Sequence, residues 1–97
     1  MTYKAEQLTY ARNDLISRLG VDEDDITVLT NKSVTWRSGA MGCPEKGRVY
    51  TQALISGRLF VFRVGHKTYR YHCDRDGVPF YCPDNRAEPP MAKPRDL

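Results

Sequence analysis

Between Arg58 and Cys73 the chain reads Arg-Leu-Phe-Val-Phe-Arg-Val, then Gly-His, then Lys-Thr-Tyr-Arg-Tyr-His-Cys: two alternating runs split by a dipeptide. Glycine at the first central position of a two-residue connection is the signature of a type II′ turn, whose twist matches the strands it joins. A turn of that length leaves one register: Val64 opposite Lys67, Phe62 opposite Tyr69, Phe60 opposite Tyr71. Side chains alternate along a strand, so Phe60, Phe62, Tyr69, Tyr71 and Cys73 share one face. Leu59, Val61, Arg63, Thr68, Arg70 and His72 take the other. Cross-strand aromatic pairs support such a register by about 0.2–1 kcal/mol each. The aromatic face is predicted to be core, and the mixed face to be solvated or to bind something.

An aromatic face needs a cover, and the N-terminal segment supplies one. Leu8, Ala11, Leu15 and Leu19, with Ile16 beside them, recur at helical spacing and predict a one-sided helix over residues 3–19. Thr2 is placed as its N-cap. Gly20 is placed as its stop, with Val21 folding back in a Schellman motif. The acidic run Asp22–Asp25 reads as a solvated connection, because consecutive acids do not set up the spaced oxygen ligands of a calcium loop.

Ile26–Thr30 is β-branched and alternating, hence a strand, with an interruption at Asn31–Ser33 and a resumption at Val34–Trp36. Three glycines and a proline then surround a cysteine between Gly39 and Gly47, the mark of a shaped loop. Arg48–Ile55 alternates again and is expected to be a second strand, closed by a Ser56-Gly57 turn. Asp74–Gly77 reads as a turn. Val78–Cys82 reads as a last strand, placed at an edge by Pro79. From Pro83 on, four prolines fall among few apolar residues, so 83–97 is expected to be a flexible, disordered tail. The expected architecture is α+β over residues 1–82: one N-terminal helix on a curved, mostly antiparallel sheet of about five strands. Its nearest analogue is a cystatin-like topology, by fold-level analogy.

The net charge of +3 is uneven, with residues 48–82 carrying +4. That excess suits an acidic protein or small acidic ligand. It is too sparse for a typical nucleic-acid domain, where lysines and arginines cluster. No apolar run reaches the roughly 18 residues of a membrane span. The first fifteen residues hold no apolar leader, so the sequence as given is expected to be cytoplasmic. Three cysteines leave an odd one whichever two pair, and in a cytoplasmic protein free thiols are the default.

Trp36, Gly39 to Pro44, Gly47, Tyr50-Thr51-Gln52-Ala53, Gly57 and Tyr69-Arg70-Tyr71-His72 together resemble a family of small, mostly uncharacterised bacterial domains. Its members read Trp, a Gly-Cys-Pro loop, a Tyr-Thr-Gln strand, a Gly turn and a Tyr-x-Tyr-His strand. The helix ending in Leu-Gly-Val also matches, and the likeness spans roughly residues 5–82. Two departures are the missing export signal and Cys73 where a threonine is more usual. Many relatives look exported and close this region with another cysteine, as Cys82 does here. The resemblance therefore implies a Cys43–Cys82 disulfide and a route of export, against the cytoplasmic reading. The family carries no established activity.

Three chemistries compete for the loop region. The leading one is a binding module without catalysis, inhibitor-like in its variant form, that uses the 39–47 loop and the adjacent mixed face: Gly42, Cys43, Pro44, Tyr50, Gln52, Arg63, Arg70 and His72. Arg63 and Arg70 would hold an anion together, although solvated arginines are the commoner outcome. The second is a thiol enzyme with Cys43 as nucleophile and His72 as base; catalysis needs a thiolate, and no third orienting residue is evident. The third is a zinc site drawing on Cys43, Cys82 and His72, with His66 and Cys73 as further soft ligands. The absence of any Cys-x-x-Cys pair weighs against it, as does the adjacency of His72 and Cys73, which point to opposite faces. The leading reading requires no cofactor. In its bland form, Cys43 anchors the loop, Trp36 packs, and His72 is a partly exposed strand residue.

Overall fold

The computed structural model describes residues 3–91, with side chains from Glu6 onward. Helix α1 runs Tyr3–Leu19, and strands β1 Thr27–Trp36, β2 Ile55–Val64, β3 Lys67–Asp74 and β4 Phe80–Cys82 follow. Among the described residues the sheet is four-stranded, ordered β1-β2-β3-β4, with every neighbouring pair antiparallel. The fold is therefore α+β. The expected N-cap Thr2 and residues 92–97 lie outside the described residues.

The hairpin forms in the predicted register, Val64↔Lys67, Phe62↔Tyr69 and Phe60↔Tyr71. Gly65 has φ +61 while His66 keeps a negative φ, the type II′ pattern. Phe60, Phe62, Tyr71 and Cys73 are buried with Ala11 and Leu15 of α1, and Leu8, Ile26, Val64, Tyr69 and Tyr81 border them. Leu19 is more exposed than the helical pattern implies. Gly20 closes α1 through its N–H on the Ile16 carbonyl (2.8 Å), the single bond of an αL cap. The Tyr71 hydroxyl donates to Asp14 Oδ2 at 2.5 Å, and Arg18 Nε donates to the same oxygen at 2.6 Å. Gln7, buried, donates Nε2 to the carbonyls of Asp74, Arg75 and Gly77 (2.8–3.3 Å), pinning the β3–β4 turn under the helix. The acidic run forms an exposed 3₁₀ turn at Glu23–Asp25, where Asp25 Oδ2 accepts the Asp22 N–H at 2.9 Å.

Three expectations change. Strand β1 is continuous, and its irregularity falls between Val28 and Thr30 rather than at Asn31–Ser33. Arg48–Leu54 lies outside the sheet, which has four strands rather than five: its alternation meets no ladder partner, and Val49 is 96% exposed. Ser56-Gly57 is part of β2, opposite Thr35 and Val34, and not a turn. The glycine is there for close approach. A Cβ at Gly57 would collide with the Cys73 carbonyl and with Trp36 Nε1, because the indole lies across β2 at this point.

Residues 83–91 run back over the 37–54 connection. The Glu88 N–H donates to Gly42 O at 2.8 Å, and the Met91 N–H donates to Thr35 O at 2.9 Å.

Candidate functional site

Trp36 ends β1 on the sheet face opposite α1. Its indole is fully buried, and it passes over Gly57 to donate Nε1–H to the Cys73 carbonyl of β3 at 2.9 Å. There it stacks on His72, with centroids 4.5 Å apart and planes 21° from parallel. Gly42 packs against the indole so closely that a Cβ would stand 2.5 Å from Cζ3 and 2.9 Å from the Glu88 carbonyl oxygen. Only glycine fits there, at φ +73.

His72 is fully buried, which corrects the expectation of a partly exposed strand residue. Period-2 alternation put it on the correct face, but the indole and the loop cover that end of the face. Its Nδ1 is 2.8 Å from the Met41 carbonyl oxygen. A carbonyl only accepts, so Nδ1 carries the proton and Nε2 offers a lone pair, toward which Arg70 Nε points at 3.4 Å. Burial pulls the pKa of His72 down to about 4. The Met41 hydrogen bond opposes that shift, and the nearby Arg70 charge adds to it. The ring is neutral at pH 7.

Cys43 and Cys82 form a disulfide, with Cα atoms 5.9 Å apart, which ties the loop to β4. The pairing implied by the family likeness is thus present, and Cys73 is a free, buried thiol. Burial is the main cause that pushes the Cys73 thiol up to about 11, with Asp74 contributing. The outer part of the loop is braced by charge: Arg86 Nη1 and Arg48 Nη1 reach the two oxygens of Glu45 at 3.4 and 3.0 Å. Arg48 comes first in holding the Glu45 carboxyl below its usual range. The Glu45 N–H donates to the Tyr50 hydroxyl at 3.0 Å, and the Gly39 N–H to Thr51 O at 2.8 Å.

The residues singled out in the sequence therefore separate into two groups. Gly42, Cys43 and His72 come together as a clamp on the loop, with Pro44 and Tyr50 half-buried at its rim. Gln52 is exposed and donates only to the Tyr50 carbonyl (3.3 Å). Arg63 lies away from the clamp, whereas Arg70 stands at its edge, with Nε 3.4 Å from His72 Nε2 and Cys82 as its β4 partner. Arg63 pairs with Thr68 and Arg70 with Val61, so the two arginines are diagonal neighbours on β2 and β3. Cys43 and His72 are not arranged as a nucleophile and base, since one sulfur is bonded to Cys82 and the imidazole proton is committed to Met41. Among the described residues no three histidine, cysteine or acidic side chains converge as a metal site.

Beside and beyond the clamp this face is open. Its positions include Thr27, Thr30 and Lys32 of β1, Val61 and Arg63 of β2, and Thr68 and Arg70 of β3. None is acidic, and among the described residues Lys32, Arg63 and Arg70 make no ion pair. Sequence reasoning missed Lys32, whose place here depends on the β1–β2 register. It also missed Arg86 and Glu88, which brace the loop from within a proline-rich stretch.

A family model described as a domain of unknown function, DUF8738, matches residues 8–82. The chain belongs to this family. The DUF8738 match begins inside α1 and ends on Cys82, so it takes in Trp36, Gly57, His72 and both disulfide partners, but not the bracing residues Arg86 and Glu88. Comparisons with curated proteins and with solved structures return no match.

Proposed function

We propose that this DUF8738 domain is a binding module that receives an acidic segment of a partner protein on the open half of its second sheet face. The observation that carries the reading is the set of Lys32, Arg63 and Arg70 on one face without a carboxylate partner among the described residues. Diagonal guanidinium groups repel, and a carboxylate between them relieves the repulsion while accepting two charge-assisted hydrogen bonds. Thr27, Thr30 and Thr68 add short hydroxyl side chains that leave the floor low. The clamped loop forms one wall, and in this reading Gly42, Cys43 and His72 position that wall without touching the ligand. A disulfide in this position suits an oxidising compartment, which favours export over the cytoplasm.

The test is binding of a fluorescein-labelled oligoglutamate peptide, followed by anisotropy at low and physiological ionic strength. Charge reversal in Arg63→Glu/Arg70→Glu should weaken binding at least about tenfold, and added salt should weaken the native domain's binding as the Debye length shrinks. Equal affinity for the native and reversed proteins refutes the reading. Tighter binding of a single-stranded oligonucleotide of equal charge would refute the choice of partner.

A further inference from the structure

We propose that the Cys43–Cys82 bond is a thiol–disulfide exchange site, arranged so that Cys43 leaves as the thiolate when a dithiol reductant opens it. This inference is independent of the binding reading.

The two sulfurs have unlike neighbours. Arg86 Nη2 lies 3.3 Å from Cys43 Sγ. The same guanidinium has a buried Nε with no hydrogen-bond partner. Its contact with Glu45, at 3.4 Å, is the looser of that carboxylate's two. The charge is thus only partly answered by Glu45 and remains directed at the sulfur. Cys82 Sγ instead faces the carbonyl oxygens of Gly42 and Pro83 at 3.9 and 3.7 Å. A cation beside a sulfur favours its thiolate, while carbonyl oxygens favour the S–H form that can donate to them. Cys73 plays no part as a resolving thiol: it is buried in the core on the helix-covered face of the sheet, whereas Cys82 pairs in register with Arg70 on the opposite face.

Exchange proceeds with a defined polarity, because the sulfur that leaves faster is the one with the more stable thiolate. A thiolate of the dithiol attacks Cys82 Sγ. The S–S bond breaks and its electron pair stays on Cys43, beside Arg86. The second thiol of the reductant gives up its proton and attacks the mixed disulfide. Cys82 leaves and is protonated, and the reductant departs as a cyclic disulfide. Two electrons pass to the protein, one of the dithiol's protons ends on Cys82, and the other goes to solvent. Both cysteines are buried, at 4% and 0% exposure, so attack requires the loop to lift from Trp36. The rate of reduction reports the clamp, whereas the distribution of charge between the thiols reports Arg86.

The experiment is iodoacetamide labelling against pH with mass mapping of each cysteine. It uses the full chain as the Cys82→Ser variant and as the reduced native protein, each with and without Arg86→Gln. Cys43 is expected to titrate at least about one unit below the ordinary thiol value of about 8.5, a tenfold gain in thiolate, and Arg86→Gln should return it to that value. An ordinary or raised Cys43 overturns the proposal, and so does a lowered one that Arg86→Gln leaves unchanged. A reduced native protein that loses its circular dichroism and labels Cys43 and Cys73 at equal rates also overturns it, since the bond is then a staple alone.

Discussion

Acidification should weaken this domain through His72 before it reaches the carboxylates. In the folded chain the imidazole titrates at about 4, against about 6.5 in an unfolded one. Between these values the unfolded chain binds a proton that the folded chain refuses, so stability rises with pH across that window and falls as pH drops through it. The full span of the shift corresponds to about 3 kcal/mol, and lowering the pH from 7 to 5 removes about 2 kcal/mol of it. With a urea m-value of about 1–2 kcal/mol/M for a chain of this size, the unfolding midpoint should drop by about 1–2 M. The lone tryptophan, Trp36, stacks on the titrating ring and so reports the transition by fluorescence. A His72→Gln variant should start from lower stability, having lost the stack and the Met41 bond, but should show a much flatter dependence between pH 7 and 5. Imidazole NMR in a His66→Asn background reads the same pKa directly. A His72 resonance titrating near 6.5, or an undiminished slope in His72→Gln, would refute the claim that burial under Trp36 sets this ionisation.

Two further substitutions probe the packing on either face. Gly57→Ala should cost about 2–4 kcal/mol, combining overpacking with loss of the Trp36–Cys73 hydrogen bond; an unfolding free energy from urea melts within about 0.5 kcal/mol of the native value would show that the indole does not cross β2. Tyr71→Phe should cost about 1.5–3 kcal/mol through loss of its bond to the Asp14 carboxylate. Burial raises the Asp14 pKa, but Tyr71 and Arg18 together hold it below the ordinary value. That contribution is present above the unfolded pKa and lost as pH falls through the folded one. The variant should therefore also blunt the acid limb below about pH 4, and an unchanged limb in a pH series would count against the assignment.

What could be read from the sequence was local. The 58–73 hairpin follows from a two-residue turn and a period of two, and α1 from apolar residues one turn apart, so both emerge with their faces correct. The misreadings have tertiary causes. Ser56-Gly57 looks like a turn because glycine near serine usually marks one, yet Gly57 answers to an indole arriving from β1. Arg48–Leu54 has a strand's alternation, but no neighbouring strand reaches it. Alternation gives His72 the right face and the wrong exposure, because its cover comes from Trp36 and the loop at Met41, distant in sequence. The Cys43–Cys82 bond was legible only through the family likeness, since spacing alone does not choose between three cysteines.

These misreadings bear on function in one direction. Residues that carry chemical promise by type, namely the loop cysteine, the strand histidine and the tryptophan before the loop, are joined in a single clamp. A neutral imidazole lies under the indole, a glycine lies against it, and a disulfide closes the loop onto β4. The contacts of such an arrangement offset the about 1–2 kcal/mol per residue that fixing the loop backbone costs. It leaves no imidazole lone pair facing solvent and no thiolate in the oxidised state. In the binding reading proposed above, the groups that would meet another molecule are less conspicuous ones, Lys32, Arg63 and Arg70 among threonines, and Lys32 joins their face through the β1–β2 register. One structure thus accounts both for a rigid loop beside the sheet and for an open cationic surface next to it. The clamp sets the position of the wall, and the β1–β2–β3 register sets the charge on the floor.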